Sequence, residues 1–173
     1  MRRRLTRPLL QNLMKELARS SPPGRSYRVF LVGGGTAVLM GWRDSTIDAD
    51  LHSDGGEVFR EIQSIKERLE LNIEFVRPED FVPPLAGSEG RHVFIQTEGH
   101  VSFYHYDPCA QLLSKVVRGF RRDLEDARQF IASGMVDAEQ FRTLVREIPA
   151  EAYSKYPALS QQAVLAAVES FLA

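Results

Sequence analysis

Two carboxylates on one side of a strand, delivered just after a glycine-rich bend, are the residues of this chain best placed to do chemistry. They lie in the stretch from Val29 to Asp54, VFLVGGGTAVLMGWRDSTIDADLHSD. In Ile47-Asp48-Ala49-Asp50-Leu51 the period-two alternation sends Asp48 and Asp50 to one face and Ile47, Ala49 and Leu51 to the other. Two like charges on one face repel unless a cation or another partner lies between them. Ahead of them, Val29, Phe30, Leu31 and Val32 read as a buried strand that ends at Gly33, Gly34 and Gly35. The glycines let the backbone approach a ligand, and Thr36 opens a short helix whose first amides favour a phosphate. A phosphate cradle beside a carboxylate pair is what a metal-bound nucleoside triphosphate requires. Each half alone has a plainer reading, a common strand-to-helix turn or a solvated edge strand. Strand, GGGT and D-x-D in that order are far more specific than either part.

Two other phosphate-binding patterns fail on spacing. A dinucleotide fingerprint needs a third glycine where Val38 stands. A Walker loop needs a Gly-Lys-Ser/Thr that does not follow this turn.

The elements around the stretch follow from periodicity. Leu5, Leu9, Leu10, Leu13, Met14 and Leu17 give an amphipathic first helix, with Arg2, Arg3, Arg4 and Arg7 read as a frayed, solvated start rather than a nucleic-acid patch. SSPPGR, Ser20 to Arg25, breaks that helix before the central strand. Val58, Phe59, Ile62, Ile65 and Leu69 stripe a helix ending near Glu70. Leu71 to Val76 is the next strand, with Leu71, Ile73 and Phe75 on one face and Asn72, Glu74 and Val76 on the other. Residues 77–91 form a long irregular loop carrying Pro78, Pro83 and Pro84. Arg91–Thr97 and Val101–Tyr106 pair as a hairpin through Glu98-Gly99. From Pro108 the chain turns helical, with a stop at Gly134, a cap at Asp137 and a last helix over roughly Ala158 to Leu172. The fold class expected is α+β: a small mixed sheet with flanking helices over residues 1–107, then a helical segment over 108–173.

The chain has 173 residues, 43% of them hydrophobic, and a net charge of -1. No global field pulls it onto nucleic acid, so any such contact must be local. One cysteine, Cys109, excludes an intramolecular disulfide and a cysteine-rich zinc site. No apolar run reaches the roughly 20 residues of a membrane span, and MRRRLTR lacks the apolar core of a signal peptide, so a cytoplasmic protein is expected. His52, His92, His100 and His105 show no metal-ligand spacing and read as strand and loop residues; only His52, two beyond Asp50, could approach the acids. Trp42 reads as core or rim packing.

Several of these residues carry a resemblance to the polymerase-β-like nucleotidyltransferase superfamily, especially its AbiEii/MenT-like toxin branch and small bacterial relatives. They are Gly34-Gly35-Thr36, Arg43 to Leu51 (RDSTIDADL), and a carboxylate on the following strand. The likeness continues through Phe81 to Leu85 (FVPPL), Phe103 to Pro108 (FYHYDP), and Ser114-Lys115 through Arg122 to Asp126 (RDLED), covering roughly residues 26–133. It implies that Gly34, Gly35 and Thr36 bind nucleotide phosphates and that Asp48 and Asp50 hold divalent metal. The third carboxylate is then Glu74, with Glu70 a less well placed rival. Two magnesium ions are expected, with manganese as an alternative. Lys115 and Arg118, three apart on a helix, would face phosphate, and Asp123 or Asp126 would support the site; read without the family, the same charges are a solvated helix face. Arg43 would touch phosphate or pair with Asp44 or Asp48.

The function so implied is transfer of a nucleoside monophosphate from a nucleoside triphosphate to a hydroxyl of tRNA or protein. For a toxin-branch member a cognate antitoxin would be encoded nearby. The alternative is a nucleotide-binding regulatory module of the same fold without turnover, against which the joint presence of Asp48, Asp50 and Glu74 weighs.

Overall fold

A computed structural model describes residues 1–173. The chain is α+β and divides into two compact units, residues 1–77 with 93–106, and residues 78–92 with 107–173.

The first unit is built on a five-stranded sheet. Its strands are β2 (Tyr27–Val32), β4 (Asp48–Ser53), β5 (Asn72–Phe75), β6 (Val93–Glu98) and β7 (Val101–His105), in the order β5-β4-β2-β7-β6. β2 pairs antiparallel with β4 and parallel with β7, while β4 runs parallel to β5 and β6 antiparallel to β7. β2 is central, and its near-continuous apolar run YRVFLV is what a strand covered on both faces needs. One face of the sheet carries Val29, Leu31, Ala49, Leu51, Ile73 and Phe103. It packs with Leu9, Leu10, Leu13, Met14 and Leu17 of helix α1 (Arg7–Ser20) and Ile65 of α3 (Ile62–Leu69) in one apolar core. The other face carries the acids.

A second, two-stranded sheet pairs β1 (Leu5–Thr6) with β3 (Ser45–Thr46). This pairing corrects the reading of the N-terminal arginines as frayed. Arg4 Nε donates to Ser45 Oγ at 2.7 Å, Arg2 donates to the Lys66 carbonyl at 2.8 Å, and Arg7 donates to the Leu39 carbonyl. The guanidinium groups of Arg2 and Arg7 reach backbone carbonyls and that of Arg4 a serine hydroxyl, which ties the N-terminal residues to the rest of the unit.

Other expectations shift in detail. Ile47 lies between β3 and β4 and is 60% exposed, so it does not share the buried face with Ala49 and Leu51. The helix expected over Val58–Glu70 splits into a 3-10 turn, Gly56–Phe59, and α3, which Glu70 ends in the left-handed conformation. Phe75 is 52% exposed at the edge strand and packs on the Phe59 ring, with centroids 4.6 Å apart. The hairpin forms as β6 and β7.

The second unit is mainly helical: α4 (Pro108–Arg118), α5 (Arg121–Ala132), α6 (Ala138–Arg146) and α7 (Gln161–Leu172). Its buried apolar residues include Leu112, Leu113, Phe130, Phe141, Val145 and Val164. Asp137 caps α6, accepting from Gln140 N at 2.8 Å. Residues 78–92 belong to this unit and contain two short 3-10 turns, Pro78–Asp80 and Ser88–Gly90. The buried Asp107 anchors the start of α4: Arg91 forks onto both its carboxylate oxygens at 3.1 and 2.8 Å, and Oδ1 also accepts from Cys109 N at 2.9 Å. No helix is long and apolar enough to cross a membrane.

Candidate functional site

Strand register brings the three acids together. Asp50 on β4 is the direct partner of Glu74 on the parallel neighbour β5, and Asp48 is the partner of Asn72. Residues paired in register point to the same face. One oxygen from each of Asp48, Asp50 and Glu74 can be chosen so that all three lie within 4.8 Å of one another. Asp48 and Asp50 are half-buried and Glu74 is exposed, so the cluster opens to solvent on the Glu74 side. Glu70, the rival, instead ends α3 and accepts from the Arg3 amide through its carbonyl at 2.7 Å.

Asn72 is a site residue that sequence reasoning missed. Its side-chain amide donates to Asp48 Oδ1, which fixes that carboxylate on the face it shares with Glu74. The signal was present, because Asn72 and Glu74 are two apart on the same strand face.

The glycine turn meets the same face from β2. Gly33 adopts φ 65°, ψ -126°, open only to glycine, and a Cβ there would sit 3.2 Å from Asp50 Oδ2. Gly34 has no room for a side chain: its Cβ would lie 2.1 Å from Thr46 Oγ1 and 2.6 Å from Thr46 Cβ. Strand β3 therefore closes against the start of α2 (Gly34–Leu39), and the bend that results sets its backbone beside the carboxylate of Asp50.

Not all of the turn faces outward. Gly33 and Gly34 are partly exposed, whereas Gly35 and Thr36 are buried. The Thr36 hydroxyl is turned inward and shares a 2.9 Å hydrogen bond with His105 Nδ1. Its side chain thus anchors α2 to β7 rather than presenting a hydroxyl to a phosphate. His105, which spacing had left as an ordinary strand residue, pairs with Leu31 on the core face. Burial pushes its pKa down to about 4, so the imidazole is neutral at physiological pH. Nothing in the local sequence marks it, since its partner is far away along the chain.

His52 does lie on the acid face, but its ring stacks on Phe30 at 5.8 Å and meets Tyr106 edge-on at 6.0 Å.

The charges of the RDLED segment belong to the second unit and pair with one another. Lys115 Nζ donates to Asp126 Oδ2 at 2.9 Å, and Arg118 forks onto Asp123 at 2.8 and 3.0 Å. Lys115, Asp123 and Asp126 are buried, so this is not a solvated helix face. The two pairs clamp α4 to α5 across the turn at Gly119, whose φ of 70° ends α4.

The donor set suits a hard divalent cation. Carboxylate oxygens on rigid neighbouring strands, a backbone brought close by glycine and one open side leave room for phosphate and water, the arrangement magnesium favours. No curated protein and no solved structure matches the chain. A family model described as "Nucleotidyltransferase of unknown function (DUF6036)" matches residues 9–171. This match spans both units, and the chain belongs to that nucleotidyltransferase family.

Proposed function

We propose that the chain is a divalent-metal-dependent nucleotidyltransferase that moves a nucleoside monophosphate from a nucleoside triphosphate onto a hydroxyl acceptor, breaking the α–β phosphoanhydride bond and releasing pyrophosphate. The observation that carries this reading is the in-register meeting of Asp48, Asp50 and Glu74 on one sheet face beside the Gly33–Gly34 bend. Asp48, Asp50 and Glu74 would hold the metal, which when bound supplies charge neutralisation at the phosphates and acidifies an acceptor hydroxyl.

The chain's own groups divide the remaining work. Asn72 orients Asp48 through its amide hydrogen bond. The partly exposed backbone of Gly33 and Gly34 receives phosphate oxygens, and the Thr36–His105 hydrogen bond holds the following helix turn in place from the core side. Gly35 and Thr36 support the turn from within. Asp48 and Asp50, partly shielded from water, attract a bound cation more strongly than exposed carboxylates would. The acceptor proton leaves toward solvent on the exposed Glu74 side. Phosphate contact by Lys115 or Arg118 would compete with Asp126 and Asp123; in this reading those four residues fix α4 on α5.

The acceptor is a hydroxyl of tRNA or of a protein, and a toxin role with a cognate antitoxin is the finer form of the proposal. Incubating the protein with magnesium, each α-labelled nucleoside triphosphate, total tRNA and cell extract tests it. A labelled RNA or protein band that disappears in Asp48→Asn is the expected result. A chain that binds nucleotide with magnesium yet labels nothing would be the regulatory module instead.

A further inference from the structure

The acid face of the sheet carries a second feature, a row of rings running across four strands. Register pairs Phe94 of β6 with Tyr104 of β7, Tyr104 with Phe30 of β2, and Phe30 with His52 of β4. Successive ring centroids lie 5.6, 5.6 and 5.8 Å apart. His52 is two residues beyond Asp50, so the row runs parallel to the Glu74–Asp50 row, one pleat away.

A bulge in β6 creates the outer end of this row. Thr97 pairs with Ser102 and Phe94 with Tyr104, with a register break at Ile95. Unbroken alternation from Thr97 would set Ile95 opposite Tyr104 and turn Phe94 toward the core. Instead Ile95 packs against the core and Phe94 is 57% exposed. A bulge that re-aims an aromatic onto the face of a reactive centre, at the expense of burial, is a feature with a purpose. Phe30 is buried beneath its neighbours and Tyr104 and His52 are partly exposed, so solvent reaches the row at Phe94, Tyr104 and His52 while the inner ring supports them.

We propose that this row, resting on the nucleotidyltransferase reading, is a stacking platform for unpaired bases of a single-stranded polynucleotide whose terminal hydroxyl is the acceptor. Strand spacings of about 4.8 Å and a two-residue step put Phe94 roughly 16 Å from Asp50, backbone to backbone. That is beyond the base of one nucleotide whose phosphate sits at the acids, and within reach of several stacked nucleotides at about 3.4 Å each. With a net charge of -1 the chain has no global field to hold a polyanion, so contacts that do not depend on phosphate must supply much of the affinity. Rings supply this, because every base has a π-face. Arg28 lies over the Phe30 ring at 5.0 Å and is also bonded to Asp54.

The test is fluorescence anisotropy of the full chain with a labelled ten-nucleotide single-stranded RNA, in magnesium and without nucleotide, at low and moderate salt. Wild type should bind with weak salt dependence and prefer the single strand over a duplex. Phe94→Ala should weaken binding by about tenfold. Phe94→Tyr should restore it and Phe94→Leu should not, which separates stacking from simple apolar contact. Phe94 is exposed, so these variants should fold as wild type does. Failure to bind RNA, equal binding of duplex, a steep salt dependence, or Phe94→Leu equal to wild type would each overturn the proposal. So would labelling of protein rather than RNA that depends on Phe94. If Asp48→Asn leaves transfer intact while RNA binding still needs Phe94, the metal assignment fails and the platform stands; the converse result separates the two in the other direction.

Discussion

Acid should loosen the glycine turn from the core side, through His105. Its ring is 5% exposed and bonded to Thr36, three residues after Gly33, and burial holds its pKa at about 4 against an ordinary value of 6.5. Above pH 6.5 the imidazole is neutral in both folded and unfolded chains. Between pH 6.5 and 4 the unfolded chain takes up a proton that the folded chain resists, so stability falls as pH falls. Linkage puts the loss at about 2 kcal/mol by pH 5, levelling near 3 kcal/mol below pH 4. Urea unfolding of wild type and His105→Asn at pH 7.5, 6 and 5 measures it. Carboxylates and the other histidines titrate in both proteins and cancel in the difference. The gap between them should move by about 2 kcal/mol in favour of the variant from pH 7.5 to 5. Parallel stability curves would show that His105 is not held neutral by the fold, and its role in anchoring α2 would be wrong.

Three other outcomes follow from the geometry. Magnesium should raise the melting temperature of wild type and not of Glu74→Gln. The variant's metal-free form should be as stable as wild type or roughly 0.2–1 kcal/mol more so, because one of three crowded like charges is gone; a magnesium response equal to wild type counts against the metal centre. Lys115→Met removes the ammonium from the buried Asp126 and should cost about 3–5 kcal/mol in urea unfolding, with most of it recovered in Lys115→Met/Asp126→Leu; a loss under 1 kcal/mol would make the pair structurally idle. Gly34→Ala drives a methyl into Thr46 and should cost roughly 1–3 kcal/mol by overpacking, read as a lowered denaturant midpoint; an unchanged midpoint would mean that β3 does not close on the turn.

Much of the candidate site was legible because it is local. A D-x-D strand has only one way to orient its acids, and a β-branched run ending in glycines has to turn. Period-two spacing also put Asn72 and Glu74 on one strand face, although only the register between β4 and β5 joined that face to Asp48 and Asp50. The RDLED charges show the opposite case. Helical spacing alone read as a solvated face and the resemblance as phosphate contact, whereas burial makes the residues counter-ions for one another.

By itself the amino-acid order determined the α+β class, the hairpin, the capped helices of the second half and the candidate acids, since hydrophobic period and turn chemistry act over a few residues. Only the tertiary structure decided that Thr36 faces His105 and that Arg2, Arg4 and Arg7 bond the Lys66 carbonyl, the Ser45 hydroxyl and the Leu39 carbonyl. It also decided that a bulge at Ile95 turns Phe94 onto the acid face. Those outcomes depend on contacts between distant segments, where strand register and burial choose among local options that the chain leaves nearly equal in energy.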